Sequence, residues 1–352
     1  MQTILGPGIF LAQIVRDYEP FNDIRAISRW VSSLGYTGIQ IPTWESRLFD
    51  LAKAASSKSY CDEYSGRLKE ETNLTIIELA AYLQGQLVAV HPAYDILFSS
   101  FHPAGLNARQ RSEWAADQLR KAVLASVNFD TKNISVLSGG CAWPYLYPWP
   151  QRPEGLIEEA FDELVKRWTP LLNFAAEHGV TFGFELHPGS DLFDGATYTK
   201  FLDKTNGHPA ACLTYDPSHL HLQQLDYIEF IKIFSDRIKA FHVKDAEFNS
   251  SGLMGVFGGY QPWAKRAGRF RSPGDGQIDF NRIFSLLAEL GYKGWAILEW
   301  ECCIKSMQQG AIEGAAFIKK RLIEATEHVF DDFAAVAADK ALNRHILGLK
   351  QL

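Results

Sequence analysis

The chain has 352 residues, 47% of them hydrophobic and 22% charged, a composition that fits a folded globular enzyme and excludes a disordered chain. The formal net charge of −6 gives no general attraction to nucleic-acid backbones or anionic membranes, and no run approaches the ~20 apolar residues of a membrane helix. Five cysteines, an odd number without a C-x-x-C pair, read as reduced buried thiols in a cytoplasmic protein.

Short apolar runs and helical patterns alternate along the chain. The start, MQTILGPGIFLAQIV, lacks a basic flank and reads as a buried first strand over 9–13, not as a targeting segment. A helix over 23–34 precedes Gly35. Strands follow at 38–41 and 75–79, a helix at 108–125, and a strand at 133–137. The helix at 158–177 stops at His178-Gly179, a cation followed by a glycine. Strands at 181–186, 211–215, 238–243 and 295–300 complete eight, with helices over 226–234, 280–290 and 311–330. Continuous apolar strands suit a sheet covered on both faces. Eight strand–helix units predict a parallel (β/α)8 barrel over 1–330, with a helical extension over 331–352. The long connections 80–107, 138–155 and 246–278 all follow strand carboxyl ends, where barrel active sites are built.

Four late strands end in ligand-type residues: Phe184-Glu185-Leu186-His187, Tyr215-Asp216-Pro217-Ser218-His219, Phe241-His242-Val243-Lys244-Asp245 and Leu298-Glu299-Trp300-Glu301. A carboxylate finishing an apolar run is costly to bury unless it is paired or binds a metal. If the barrel closes, Glu185, Asp216, His242 and Glu299 converge. Three carboxylates and an imidazole suit one divalent ion, with Mn2+ first and Mg2+, Co2+ or Zn2+ as alternatives. Glu301 lies on the same strand face as Glu299; Glu299 is preferred because it ends the apolar run.

These motifs resemble the xylose-isomerase-like TIM barrels, which include sugar phosphate isomerases and epimerases. The resemblance spans nearly the whole barrel and rests on F-E-L-H at Glu185, D-P-S-H at Asp216, H-V-K-D at His242 and I-L-E-W-E at Glu299. It implies that Glu185, Asp216, His242 and Glu299 hold the metal and that Glu185 and Glu299 move the proton. It also places His219 just behind the ligands, and likens Gly268–Phe280 to a loop that closes over sugar. The oversized loops bring in larger relatives, the 3-keto-glycoside epimerases and the large subunit of C-glycoside deglycosidases, which works with a small partner.

The expected reaction is proton abstraction beside the carbonyl of a ketose or 3-keto-glycoside, aided by a dication as Lewis acid. Elimination of a β-substituent is the alternative outcome. His187 and His219 are alternative bases. The aromatic, proline-stiffened loop CAWPYLYPWPQ is read either as a substrate entrance, with Trp143, Tyr145, Tyr147 and Trp149 stacking on a sugar or aglycone, or as a cap on the barrel's outer helices; the entrance is the expectation taken forward. Lys244, Arg269 and Arg271 are candidate anchors for a phosphate or sugar hydroxyls, and His91 reads as a core histidine. A nuclease of the endonuclease IV type is a distant alternative, because this chain has no histidine before His91 and its net charge is negative. No nucleic acid or membrane partner is expected. A homo-oligomer or a complex with a small subunit is compatible with the apolar 87–101 loop.

Overall fold

The computed structural model describes residues 4–324, 337 and 339–349. It contains strands β1 (Leu5–Phe10), β2 (Gly38–Pro42), β3 (Thr75–Ala80), β4 (Asn133–Val136), β5 (Thr181–Glu185), β6 (Ala211–Tyr215), β7 (Ile238–Val243), β8 (Asp245–Phe248), β9 (Gly268–Arg271) and β10 (Trp295–Leu298). Eight of them close a barrel in the order β1-β10-β7-β6-β5-β4-β3-β2, while β8 and β9 form a separate antiparallel pair. All eight barrel pairings are parallel, so the eight carboxyl ends share one rim.

The first strand starts earlier than its apolar run suggests and takes in Gly6-Pro7-Gly8. The ladder to β10 is irregular between Leu5 and Gly8, which is where a strand tolerates proline. Gly8 and Gly38 face one another in register. A Cβ on either would lie 2.7 or 2.6 Å from the Ile77 side chain, so the absence of side chains at this level is what admits Ile77. Trp168, on the helix Leu156–Glu177, wedges its ring against Phe182 and Phe184 of β5 and donates through Nε1 to Ser138 O at 2.9 Å. One buried indole thereby ties the outer layer both to β5 and to the loop leaving β4.

Several elements have weak periodic signals. The helix Lys58–Thr72 buries only Cys61, Leu68 and Thr72; its charged face hides the apolar stripe, and its start is marked by Ser57 Oγ accepting from Tyr60 N. Between β5 and β6 the helix Gly195–Lys204 is opened by a reciprocal cap between Asp194 and Thr197. The β8–β9 pair, read above as loop, has four-residue strands joined by a long connection, below the length at which alternation shows. No described helix is long and apolar enough to cross a membrane.

The helix expected over 311–330 is Met307–Lys319 in the structure, and 325–330 lie outside the described residues. Of the expected 331–352 extension, residues 331–336, 338 and 350–352 also lie outside them. Lys340–Ile346 is helical, and none of its residues is buried. In the 87–101 segment Leu87, Val88 and Ala89 are buried, whereas Ile96 and Leu97 are exposed. Among the cysteines only Cys61 and Cys212 are buried; Cys141, Cys302 and Cys303 are half-buried, and all five are unpaired thiols.

Candidate active site

Glu185 is the last residue of β5, Asp216 follows β6, His242 lies one residue before the end of β7, and Glu299 follows β10. The shared rim brings one ligand atom of each within 4.8 Å of all the others, and all four residues are buried. Local chemistry orients them. Asp216 caps the helix Pro217–Leu222, its Oδ1 accepting from Ser218 N at 2.7 Å, so Oδ2 points into the cluster. Glu299 accepts from Gln13 Nε2 at 3.1 Å through Oε1, and its Oε2 lies 2.9 Å from His242 Nδ1. Two buried carboxylate oxygens, Glu185 Oε1 and Asp216 Oδ2, have no hydrogen-bond partner. Buried polar atoms are rarely orphaned, and an oxygen-rich set with one imidazole is what a hard or borderline dication binds. The four residues can hold a metal.

Glu301, the rival to Glu299, stands outside this group. Its side chain is 39% exposed and lies 2.9 Å from Lys244 Nζ. Lys244 is buried and also reaches His219 Nε2 at 3.1 Å, Glu299 at 3.3 Å and Asp216 at 3.4 Å. Burial alone would lower its pKa, but the surrounding carboxylates, Glu299 foremost, raise it well above the usual lysine value. His242 is held high in the same way: burial opposes the charge, while Glu299 and Glu185 favour it. Burial and the charge of Glu299 push the Glu185 carboxyl up, whereas Lys244 and His242 overcome burial to hold Glu299 low.

The two candidate histidines lie beside this cluster. His219, one helical turn beyond Asp216, places Nε2 3.5 Å from Asp216 and 3.7 Å from Glu185. Its ring centroid is 4.2 Å from that of His187. His187 Nδ1 donates to Pro188 O at 2.6 Å, which leaves the lone pair on Nε2. Burial, reinforced by the Lys244 charge, lowers the His187 pKa to about 4 and that of His219 well below its usual value, so both rings are neutral near pH 7.

The other side of the site was not legible from motifs. Gln40 on β2 accepts from His242 Nε2 at 3.1 Å and donates to Glu78 Oε1 at 3.1 Å and Ser135 Oγ at 3.2 Å. Glu78 also accepts from Asn133 Nδ2 at 3.0 Å and from the Ser135 hydroxyl. Burial raises its pKa to about 7, against the pull of those donors. Phe10 stacks on the His242 ring, centroids 5.9 Å apart, and Tyr82 meets it edge-on at 6.3 Å. The buried Tyr82 hydroxyl has no partner. Only the position of these residues on or just after the early strands could have suggested them.

A cleft of about 570 Å3 opens beside His187 and His219 and is lined by Trp143, Leu146 and Tyr147 from the aromatic loop, together with Phe193, Phe257, Trp263 and Phe270. Tyr145 and Trp149 do not line it. Tyr145 meets His91 instead, hydroxyl to Nε2 at 3.3 Å, and Trp149 is 70% exposed. His91 is half-buried under Tyr145 rather than in the core. Arg269 and Arg271 also stay out of the cleft, because both are spent on Glu247 of the β8–β9 pair, at 2.5 and 2.8 Å. The neighbouring turn is clamped by Asp245, which accepts from the backbone of Gly274 and Gly276; a Cβ at Gly276 would come within 2.2 Å of that carboxylate.

A similar clamp sets the aromatic loop. The buried Asp191 carboxylate accepts from the backbone N–H of Cys141, Ala142 and Trp143 at 2.7–2.9 Å. Asp191→Asn replaces one acceptor oxygen by a donor facing those N–H groups. The expected result is a loss of about 1–3 kcal/mol in urea unfolding, with faster proteolysis near 141–151. Unchanged stability and unchanged cleavage would show that the loop is held elsewhere.

The profile of the family described as "Xylose isomerase-like TIM barrel" matches residues 28–321. Over 175 residues the chain is 32% identical to the inosose dehydratase of Clostridium botulinum (strain Alaska E43 / Type E3), a match that covers 47% of this chain and 55% of that protein. The chain thus spans about half the length of the curated relatives it matches. Among solved structures, the 3-keto-D-glucoside 4-epimerase YcjR of E. coli superposes with a TM-score of 0.62 at 15% identity, covering 91% of this chain and 100% of that one. The protein IolI, crystallised with a zinc atom, superposes with a TM-score of 0.58 at 17% identity, covering 90% and 99%.

Proposed function

This chain belongs to the xylose isomerase-like TIM-barrel family, and from that premise we propose that it removes a proton beside the carbonyl of a sugar, as a metal-dependent isomerase or epimerase. The observation that carries the proposal is the buried Glu185–Asp216–His242–Glu299 cluster, two of whose carboxylate oxygens have no hydrogen-bond partner. These four residues would hold one dication, Mn2+ by the predominance of carboxylate oxygen, and its chemistry there is to polarise the carbonyl and stabilise negative charge on oxygen.

The chain's own groups divide the remaining work. Both Glu299 oxygens are engaged, by Gln13 and by His242 and Lys244. Glu185 has an oxygen free of hydrogen bonds; with one of its carboxylate oxygens turned to the ion and the other to the substrate, Glu185 is the better acceptor for the substrate proton. His187, its Nδ1–H fixed on Pro188, offers Nε2 as a second proton acceptor on the cleft side. Lys244 neutralises carboxylate charge around the reacting atoms and holds His219 by its Nε2. Gln40, fixed by Glu78, accepts from His242 Nε2 and so directs Nδ1 into the cluster.

A second outcome, loss of a β-hydroxyl or other β-substituent after the same proton transfer, is favoured by the similarity to inosose dehydratases. Incubating ketoses, 3-keto-glycosides and inosose with the Mn2+-loaded protein in D2O separates the outcomes. Deuterium wash-in with an isomeric product supports epimerisation or isomerisation. An unsaturated ketone absorbing in the ultraviolet supports elimination. No exchange with any of these substrates would sink the proposal.

The Gln40 contact gives a milder test. Gln40→Met removes the acceptor that sets the His242 tautomer, and should weaken Mn2+ binding by about 10–100-fold without changing the circular dichroism spectrum. Unchanged metal affinity would mean that Gln40 does not orient His242.

A further inference from the structure

The cleft beside the cluster is larger than one sugar requires. Beginning at His187 and His219, it encloses about 570 Å3, and a second hollow of about 360 Å3 shares His187, Trp263 and Phe270 with it. Volumes of roughly 300–1,000 Å3 hold whole drug-sized ligands. If the reacting sugar sits on the cluster, this space is left for what the sugar carries.

Two aromatic walls bound that space. One is the Trp143–Phe193 pair, on the loops leaving β4 and β5, with ring centroids 5.2 Å apart. The other is the Trp263–Phe270 pair, rings 4.8 Å apart and inclined by 33°, on the β8–β9 connection and β9 itself. A second sugar ring would bring several hydroxyls, each costly to bury without a hydrogen-bond partner. The polar side chains nearby are largely engaged. Gln223 Nε2 donates to Phe193 O and His219 O, His187 Nδ1 to Pro188 O, and His219 Nε2 is taken by Lys244. A flat apolar ring makes no such demand and gains from offset or edge-to-face contact with both walls. At the rim, the Arg266 guanidinium lies 5.1 Å from the Trp263 ring, and its buried Nε has no hydrogen-bond partner, so the guanidinium can donate to an oxygen substituent on the ligand's ring.

We infer that the substrate is a glycoside with a planar aromatic aglycone, the sugar at the Glu185–Asp216–His242–Glu299 cluster and the aglycone between the Trp143–Phe193 and Trp263–Phe270 walls. This rests on the reading of the cluster as the sugar site, yet it is tested by binding and not by turnover. Calorimetry in Mn2+-containing buffer would compare 2-naphthyl β-D-glucopyranoside, methyl β-D-glucopyranoside and cellobiose.

The naphthyl glycoside should bind at least about tenfold more tightly than the methyl glycoside. Trp263→Ala, at an exposed position, and Phe193→Leu, at a half-buried one, should each remove most of that preference and leave methyl glycoside binding within about twofold. Equal affinities, a preference that survives both substitutions, or no measurable binding of any of the three would overturn the inference. So would a gain with cellobiose equal to that with the naphthyl glycoside, which would make the cleft a saccharide subsite. An intact aryl preference with no deuterium exchange on any ketone would sink the proposed reaction and leave the aromatic cleft standing.

Discussion

Asp216→Asn should abolish tight metal binding while leaving the barrel folded. The substitution preserves shape, and the capping bond from Ser218 N can be kept by the amide oxygen. What disappears is the anionic oxygen Oδ2, which has no hydrogen-bond partner and faces the other three residues of the cluster. Removing a group that merely orients a ligand costs about 10–100-fold in affinity. Removing a ligand should reach at least the upper end of that range, about 100-fold or more, and activity should fall with it. Metal analysis after dialysis and titration with Mn2+ read the loss directly. Binding also stabilises a protein by mass action, so Mn2+ should raise the thermal midpoint of the parent chain and barely move that of the variant. Full metal retention with unchanged activity would remove Asp216 from the cluster's function.

The barrel was readable because its strands are short, continuous and apolar, and most were read to within a residue or two of their ends. Ala211–Tyr215 and Ile238–Val243 match the expected spans at both ends, since each run is followed at once by a charged residue, Asp216 or Lys244. β1 was misplaced because Gly6-Pro7-Gly8 reads as a turn, and only the packing of Ile77 against Gly8 and Gly38 explains why such a segment is a strand. Lys58–Thr72 escaped notice because a helix that buries three residues leaves almost no period.

The candidate site shows the same division. Strand-end carboxylates and His242 stand out locally, since nothing but pairing or a metal makes their burial affordable, and the rim brings them together. Gln40, Glu78 and Tyr82 come from early strands and connect to the late ones only across the barrel interior, a contact that no local spacing encodes. The arginines misled for a related reason. Arg269 and Arg271 sit in the densest basic stretch of the chain, but antiparallel pairing of β8 with β9 lays Glu247 beside Arg269 in register, and the charge is consumed there. The walls of the cleft were half visible: Trp143 and Tyr147 lie in a conspicuous aromatic loop, whereas Phe193, Trp263 and Phe270 are single rings that only the fold assembles.

Lys244→Met should be the most destabilising single change in the site. The methionine keeps most of the side-chain volume but removes an ammonium held at 2.9–3.4 Å from Glu301, Glu299 and Asp216. Those carboxylates would then repel one another in a buried setting, with His242 as the remaining nearby cation. Breaking a buried ion pair by removing one partner costs about 3–5 kcal/mol, far more than loss of one side chain's packing on an isosteric exchange. The metal-free variant, prepared with a chelator, should therefore lose about 3–5 kcal/mol in urea unfolding. Glu301→Gln in the same chain should recover part of the loss, because it deletes one of the charges left uncompensated. The parent protein carrying Glu301→Gln alone should show no such gain, since there the Lys244 charge is still present and loses a partner. A loss below about 1 kcal/mol, the range of exposed ion pairs, or a failure of Glu301→Gln to rescue, would mean that Lys244 does not balance the charge of this cluster.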